Sequence, residues 1–160
     1  MTIIELCRLS DSHLCQLVNL ESQLFGTDRW HKQALQELFM QDYHRFFVVE
    51  YDNTIIGYCL LQAIFDTAEI LRIGIAKTFQ GQGFAKQLLV KVIEDLGRQI
   101  GSEKTNRAKV EKILLEVRED NLAAIYLYQS FGFEQIHIRQ RYYDNADGTK
   151  SDALILQKLL

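Results

Sequence analysis

The sequence predicts an α/β domain built on a mixed sheet with helices on it. Three observations carry that expectation. Short runs rich in β-branched and aromatic residues recur along the whole chain. One long amphipathic helix starts directly after a glycine-bearing turn. The helical segments fall between the strands in the order β-α-α-β-β-β-α-β-α-β-β, a pattern that packs helices onto a sheet.

Thr2 to Leu9 alternates loosely and reads as a first strand. Ser10 or Asp11 is suited to cap a helix running to about Leu24, with Leu14, Leu17, Val18 and Leu20 turned inward. Phe25 to Asp28 reads as a loop, and a second helix follows from about Trp30 to Met40. Arg45 to Tyr51 and Thr54 to Gln62 are strands joined at Asp52-Asn53, a hairpin signal. Ala68 to Ala76 is a fourth strand. From Gly83 onward Phe84, Leu88, Val92, Leu96 and Ile100 recur every fourth residue with Lys86, Lys91, Glu94 and Asp95 on other faces, a helix of about five turns. Lys112 to Arg118 is a fifth strand. A helix from Asn121 to about Phe131 stops at Gly132. Glu134 to Gln140 and Asp152 to Leu159 are the last strands, around a turn containing Asp147-Gly148.

Composition narrows the function. The chain has 160 residues, 48% hydrophobic and 24% charged, so a single domain over 1–160 with one sizeable core is expected. No apolar run is long enough to span a membrane. The start lacks the basic and apolar regions of a secretory signal. Cys7, Cys15 and Cys59 are widely spaced and odd in number, which suits a reducing cytoplasm better than a disulfide framework. They read as small core residues rather than nucleophiles. A net charge of −3 argues against stable nucleic-acid binding. Lys104, Arg107, Lys109 and Lys112 are diluted by Glu103 and Glu111, so Gly101 to Lys112 reads as a solvated connection. His13, His31, His44 and His137 lack metal-ligand spacing, and no metal is expected.

Three constellations stand out. Gln80-Gly81-Gln82-Gly83-Phe84-Ala85 lies between a strand and the long helix, where free N–H groups and the helix dipole favour an anion. It lacks the lysine of a P-loop and the spacing of a dinucleotide fingerprint. Glu116 sits in the middle of an apolar strand, where a carboxylate needs a reason. It is open there to pairing with Arg118, to facing solvent, or to working. Asn121 is a good N-cap, with Tyr128 two turns along the same helical face.

Gln80-x-x-Gly83-x-Ala85, then a long helix, a strand, and Asn121-x-x-Ala124-x-x-Leu127-Tyr128-x-x-x-Gly132-Phe133, closely resembles the GNAT acyl-CoA N-acetyltransferase superfamily. The resemblance covers nearly the whole chain and is best from Ile73 to Leu156. It implies a largely antiparallel mixed sheet splayed at its centre, with helices on both faces. It implies that the backbone of Gly81, Gln82, Gly83, Phe84, Ala85 and Lys86 holds the coenzyme A pyrophosphate, while Ile73-Gly74-Ile75 pairs with the pantetheine arm. The strand splays there to admit the thioester, and Gly74 suits such a break.

Within the superfamily the C-terminal stretch looks like the ribosomal-protein-alanine N-acetyltransferases. The matching residues are Leu115-Glu116-Val117-Arg118, Asn121, Ala124, Leu127-Tyr128, Gly132-Phe133, Arg139, Tyr142-Tyr143, Asp147-Gly148 and Asp152-Ala153. This implies Glu116 as general base, Tyr128 as general acid and Asn121 as an acetyl-CoA contact. It also implies that Tyr142 and Tyr143 flank the acceptor; as aromatics, Trp30, Tyr142 and Tyr143 are suited either to frame a peptide-binding cleft or to pack. Departures are Gly81 in place of a basic residue, Ala85 in place of a glycine, and a longer spacing between Phe25 and Trp30. The activity implied is acetyl transfer from acetyl-CoA, in the cytoplasm, to the N-terminal alanine of a small-subunit ribosomal protein. The alternatives are a GNAT enzyme for a small amine or a lysine side chain, and a silent acyl-CoA-binding module.

Overall fold

The computed structural model describes residues 1–98, 109–145 and 147–160. Its elements follow the expected order: β1 (Thr2–Glu5), α1 (Asp11–Phe25), α2 (Lys32–Phe39), β2 (His44–Tyr51), β3 (Thr54–Ile64), β4 (Thr67–Ile75), α3 (Phe84–Gly97), β5 (Lys112–Arg118), α4 (Leu122–Ser130), β6 (Glu134–Asp144) and β7 (Lys150–Leu159). The first strand is shorter than its alternation suggests, and α2 begins two residues after Trp30. Most of the Gly101 to Lys112 connection and the expected end of the long helix at Ile100 lie outside the described residues.

The strands form one sheet in the order β1-β2-β3-β4-β5-β7-β6. Every neighbouring pair is antiparallel except β4 and β5. The β2–β3 hairpin turns on Asp52 and Asn53, both at positive φ, the two-residue turn whose twist matches the strands. Residues Ile55 to Leu61 of β3 are buried without interruption, because both sheet faces are covered. One face packs on α3 and α4 through Leu88, Leu89, Val92, Leu96 and Tyr128. The other packs on α1 and α2 through Leu14, Leu17, Leu20 and Leu35. Among the described residues no helix is long and apolar enough to cross a membrane.

The centre of the sheet is open at one end. β4 and β5 pair only from Thr67 with Lys112 to Ile70 with Leu115. At that point β4 carries a bulge: Leu61 faces Ile70 while Leu60 faces Arg72, leaving Leu71 extra. A bulge bends its strand and increases the local twist, and here it coincides with the end of the ladder. The departure therefore starts before Gly74. Gly74 serves a different need, since a Cβ there would lie 2.7 Å from Leu24 Cδ1 and 3.2 Å from Phe25 Cζ. Its bare backbone admits the end of α1 against the splayed strand.

Candidate functional site

The turn entering α3 is shaped by its sequence. Gly81 and Gly83 have φ of 74° and 83°, the left-handed region that glycine tolerates without strain. The side chain of Gln80 donates to the Ile75 carbonyl at 2.8 Å, and that of Gln82 to the Thr78 carbonyl at 3.0 Å. Both tie the turn to the end of β4. Helix α3 has no acidic residue in its first turn, and Lys86 stands there instead. Its positive end and first N–H groups are thus left for an outside anion.

This turn forms one wall of a solvent-open cleft of about 420 Å³. Ile73, Gly74 and Ile75 of the splayed β4 line it, together with Gly81, Gly83, Phe84, Ala85 and Lys86. Asn121 and Tyr128 line the opposite wall with Ala123, Ala124 and Leu127. Two distant stretches of sequence thus meet in one cavity. Gln82 does not line it, its side chain being turned back to Thr78. Asn121 is the cap of α4, its Oδ1 accepting from Ala124 N–H at 3.2 Å. Tyr128 is 5% exposed and packs on Phe133 with ring centres 5.7 Å apart. Burial first, and then the Cys59 thiol, push its phenol well above the usual tyrosine range, which keeps it a proton donor.

Glu116 lies on the other side of the sheet. Ile113, Leu115 and Val117 of β5 join the core under α3, so alternation turns Leu114, Glu116 and Arg118 to the α1–α2 face. The partner of Glu116 is not Arg118. Its Oε2 pairs with Arg139 Nη1 at 2.8 Å, and its Oε1 accepts from the Tyr143 hydroxyl at 3.3 Å. Arg118 instead pairs with Asp120, binds Asn145 and Ser151, and lies over the Tyr143 ring. Burial and the Glu116 charge push Tyr143 up to about 12. Tyr142 meets Tyr143 edge-on at 5.0 Å and stacks with Arg139.

Trp30 reaches the same face from the far side of the splay. It packs on Arg72, whose guanidinium is 4.0 Å from the Trp30 ring and 4.3 Å from the Phe25 ring. Arg72 pairs with Glu21 at 2.7 Å. Glu21 is fully buried and also accepts from Trp30 N–H at 2.6 Å and from the Tyr58 hydroxyl. Burial raises its carboxyl above the ordinary range, opposed by the Trp30 N–H and Arg72. Sequence reasoning missed this cluster. Its signal was present, because Glu21 falls on the apolar stripe of Leu14, Leu17 and Leu24 at helical spacing.

Comparison with known proteins agrees with this geometry. Residues 14–133 match the acetyltransferase (GNAT) family. Over 127 residues the chain is 34% identical to the ribosomal protein bS18-alanine N-acetyltransferase of Haemophilus ducreyi, covering 79% of this chain and 81% of that one. It is 30% identical over 139 residues to an N-alpha-acetyltransferase of Mycobacterium tuberculosis, covering 84% and 79%. The crystal structure of the ribosomal-protein-S18-alanine N-acetyltransferase of Escherichia coli superposes with a TM-score of 0.84 at 26% identity, covering 99% of this chain and 92% of the other. The chain belongs to the GNAT acetyltransferase family.

Proposed function

We propose that residues 1–160 form one catalytic domain that transfers the acetyl group of acetyl-CoA to the α-amine of an N-terminal alanine on a small-subunit ribosomal protein. The observation that carries this reading is the division of labour at the splay. A buried phenol, Tyr128, lies in the cleft that Ile73 to Ile75 line, and a carboxylate, Glu116, lies on the opposite face of the sheet. Donor and acceptor then approach the gap from opposite sides. The names of the relatives support the acceptor, being acetyltransferases of ribosomal-protein alanine or α-amino groups. We place the reaction in the cytoplasm, where Cys7, Cys15 and Cys59, free thiols here, stay reduced.

The glycine turn and the N–H groups of Gly81 to Lys86 receive the pyrophosphate, a role for which the positive end of α3 is suited. The open edge of Ile73 to Ile75 takes the pantetheine amides, and Asn121 lies beside the acyl end. The acceptor nitrogen attacks the thioester carbonyl, forming the N–C bond as the C–S bond breaks. The arriving ammonium first gives one proton to Glu116 to free its lone pair. After attack the nitrogen's second surplus proton leaves to solvent, while the departing thiolate takes a proton from Tyr128, which solvent then restores. No covalent enzyme intermediate or metal is invoked. An α-amine, with pKa near 8 against about 10.4 for lysine, gives up its proton to a carboxylate far more readily at neutral pH.

Tyr128→Phe tests the donor side. With an alanine-terminated peptide, kcat is expected to fall by at least about tenfold, while acetyl-CoA binding by calorimetric titration stays within about twofold of wild type. An unchanged kcat would remove Tyr128 as the acid. A lost titration would make it part of the binding site instead.

A further inference from the structure

Both oxygens of Glu116 are engaged by the protein itself. Each oxygen keeps one lone pair for a proton, but an incoming ammonium has to share the carboxylate with the Arg139 guanidinium, a like charge that repels it. The two donors come from one strand through a bulge. Between Arg139 and Tyr143, β6 advances four residues while β7 moves only from Ala153 to Ser151. Arg141 within this bulge has φ of 54°, and its N–H is held by Asp152 Oδ1 at 2.7 Å. The bulge draws both side chains onto the same carboxylate.

The donors differ in how firmly they are held. Tyr143 is fixed by Arg118 over its ring and by Tyr142 at its edge. Arg139 is 52% exposed along its side chain, rests only on the outer ring of Tyr142 among the contacts described, and stands on the strand at the sheet edge. With Glu116 itself half-buried at 21% exposure, it is the exposed Arg139 end of the pair that is free to move into solvent.

We propose that Arg139 is a place-holding counter-ion whose guanidinium occupies, on Glu116, the seat that the acceptor's ammonium takes. This rests on the reading of Glu116 as base. The arriving ammonium replaces one cation with another, so the carboxylate is never left unpaired. Once the nitrogen is acetylated the product is a neutral amide, and when Glu116 has passed its proton to solvent that amide competes poorly for the restored carboxylate. The guanidinium then recovers its seat and favours product departure. Arg139 is thus a positioning residue that ties product release to completed transfer. The other charged or titratable groups on this face, among the described residues, are Tyr142 and Tyr143 from β6, Arg118 from β5 with Asp120 and Asp28 acting on it, and Arg72 with its partner Glu21 across the splay.

The test uses the full chain with Arg139→Gln and Arg139→Lys. It measures acceptor KM, inhibition by the N-acetylated peptide, and the acid limb of kcat/KM. Arg139→Gln is expected to lower acceptor KM about threefold, to strengthen product inhibition by a similar factor, and to move the acid limb upward by about half a pH unit. Arg139→Lys restores most of the wild-type profile, and thermal denaturation checks that both variants fold. A raised acceptor KM with an unmoved acid limb would overturn the proposal and make Arg139 a direct peptide contact. Unchanged values in all three measurements would also overturn it. Should wild type transfer nothing to an α-amine, the assignment of Glu116 fails first, independently of Arg139.

Discussion

Glu116→Gln is expected to lower kcat on an alanine-terminated peptide by about 100-fold or more near pH 7. The amide keeps the shape of the side chain and can still accept from Tyr143, but it takes no proton and no longer attracts a cation. Below about pH 8 the acceptor amine is largely protonated and depends on the base. Above that value it is increasingly neutral on its own. The ratio of wild-type to variant rate should therefore shrink as pH rises through about 8. Initial rates across this range check the prediction, and a ratio independent of pH would assign the proton to another group. Arg72 and Arg118 on the same face carry permanent positive charge, so neither replaces the lost carboxylate.

Glu21→Ala is expected to destabilise the fold by about 3 kcal/mol or more, a fall in Tm of about 10 °C for a chain of this size. Glu21 is fully buried, and its carboxylate receives Arg72, the Trp30 N–H and the Tyr58 hydroxyl. Truncation leaves the Tyr58 hydroxyl and the Trp30 N–H without their acceptor and Arg72 with only the Asp28 carbonyl, and each unmet group carries its own desolvation cost. The loss is also local to function. Arg72 lies on the splayed strand just beyond its bulge and is clasped between Phe25 and Trp30. Releasing it loosens the α1–α2 connection at the acceptor side, so acceptor KM should rise more than the KM for acetyl-CoA. Glu21→Gln retains acceptor capacity and shape, and its Tm should fall less. Equal melting of wild type and Glu21→Ala would remove the cluster as a structural anchor.

What was legible in the sequence was local. The spacing of Phe84, Leu88, Val92 and Leu96 identifies α3 because one helix face alone dictates it. Asp52-Asn53 identifies a hairpin because the turn needs residues tolerant of positive φ. Asn121 reads as a cap and is one. The glycine turn and the Asn121–Tyr128 helix were tied together only by family resemblance, and the fold brings them to one cleft.

What escaped was set by pairing between distant strands. The bulge at Leu71 depends on the register of β4 against β3, which nothing within β4 specifies. The same holds for the bulge at Arg141, a non-glycine residue at positive φ held there by Asp152. Without that bulge, Arg118 is the natural partner to assign to Glu116, two residues away on the same face. With it, Arg139 and Tyr143 arrive instead. The turn joining β3 to β4 was hidden for a similar reason, since it places Phe65 at positive φ, where a bulky residue is unusual.

The most direct test of the account is acetyl transfer from acetyl-CoA to two matched peptides of ribosomal-protein N-terminal sequence. One carries a free alanine α-amine. The other has that amine blocked and a lysine placed inside. Mass spectrometry with fragmentation locates any acetyl group gained. The account predicts transfer to the free α-amine alone. Transfer to the internal lysine, or to neither peptide while acetyl-CoA still binds, would contradict it.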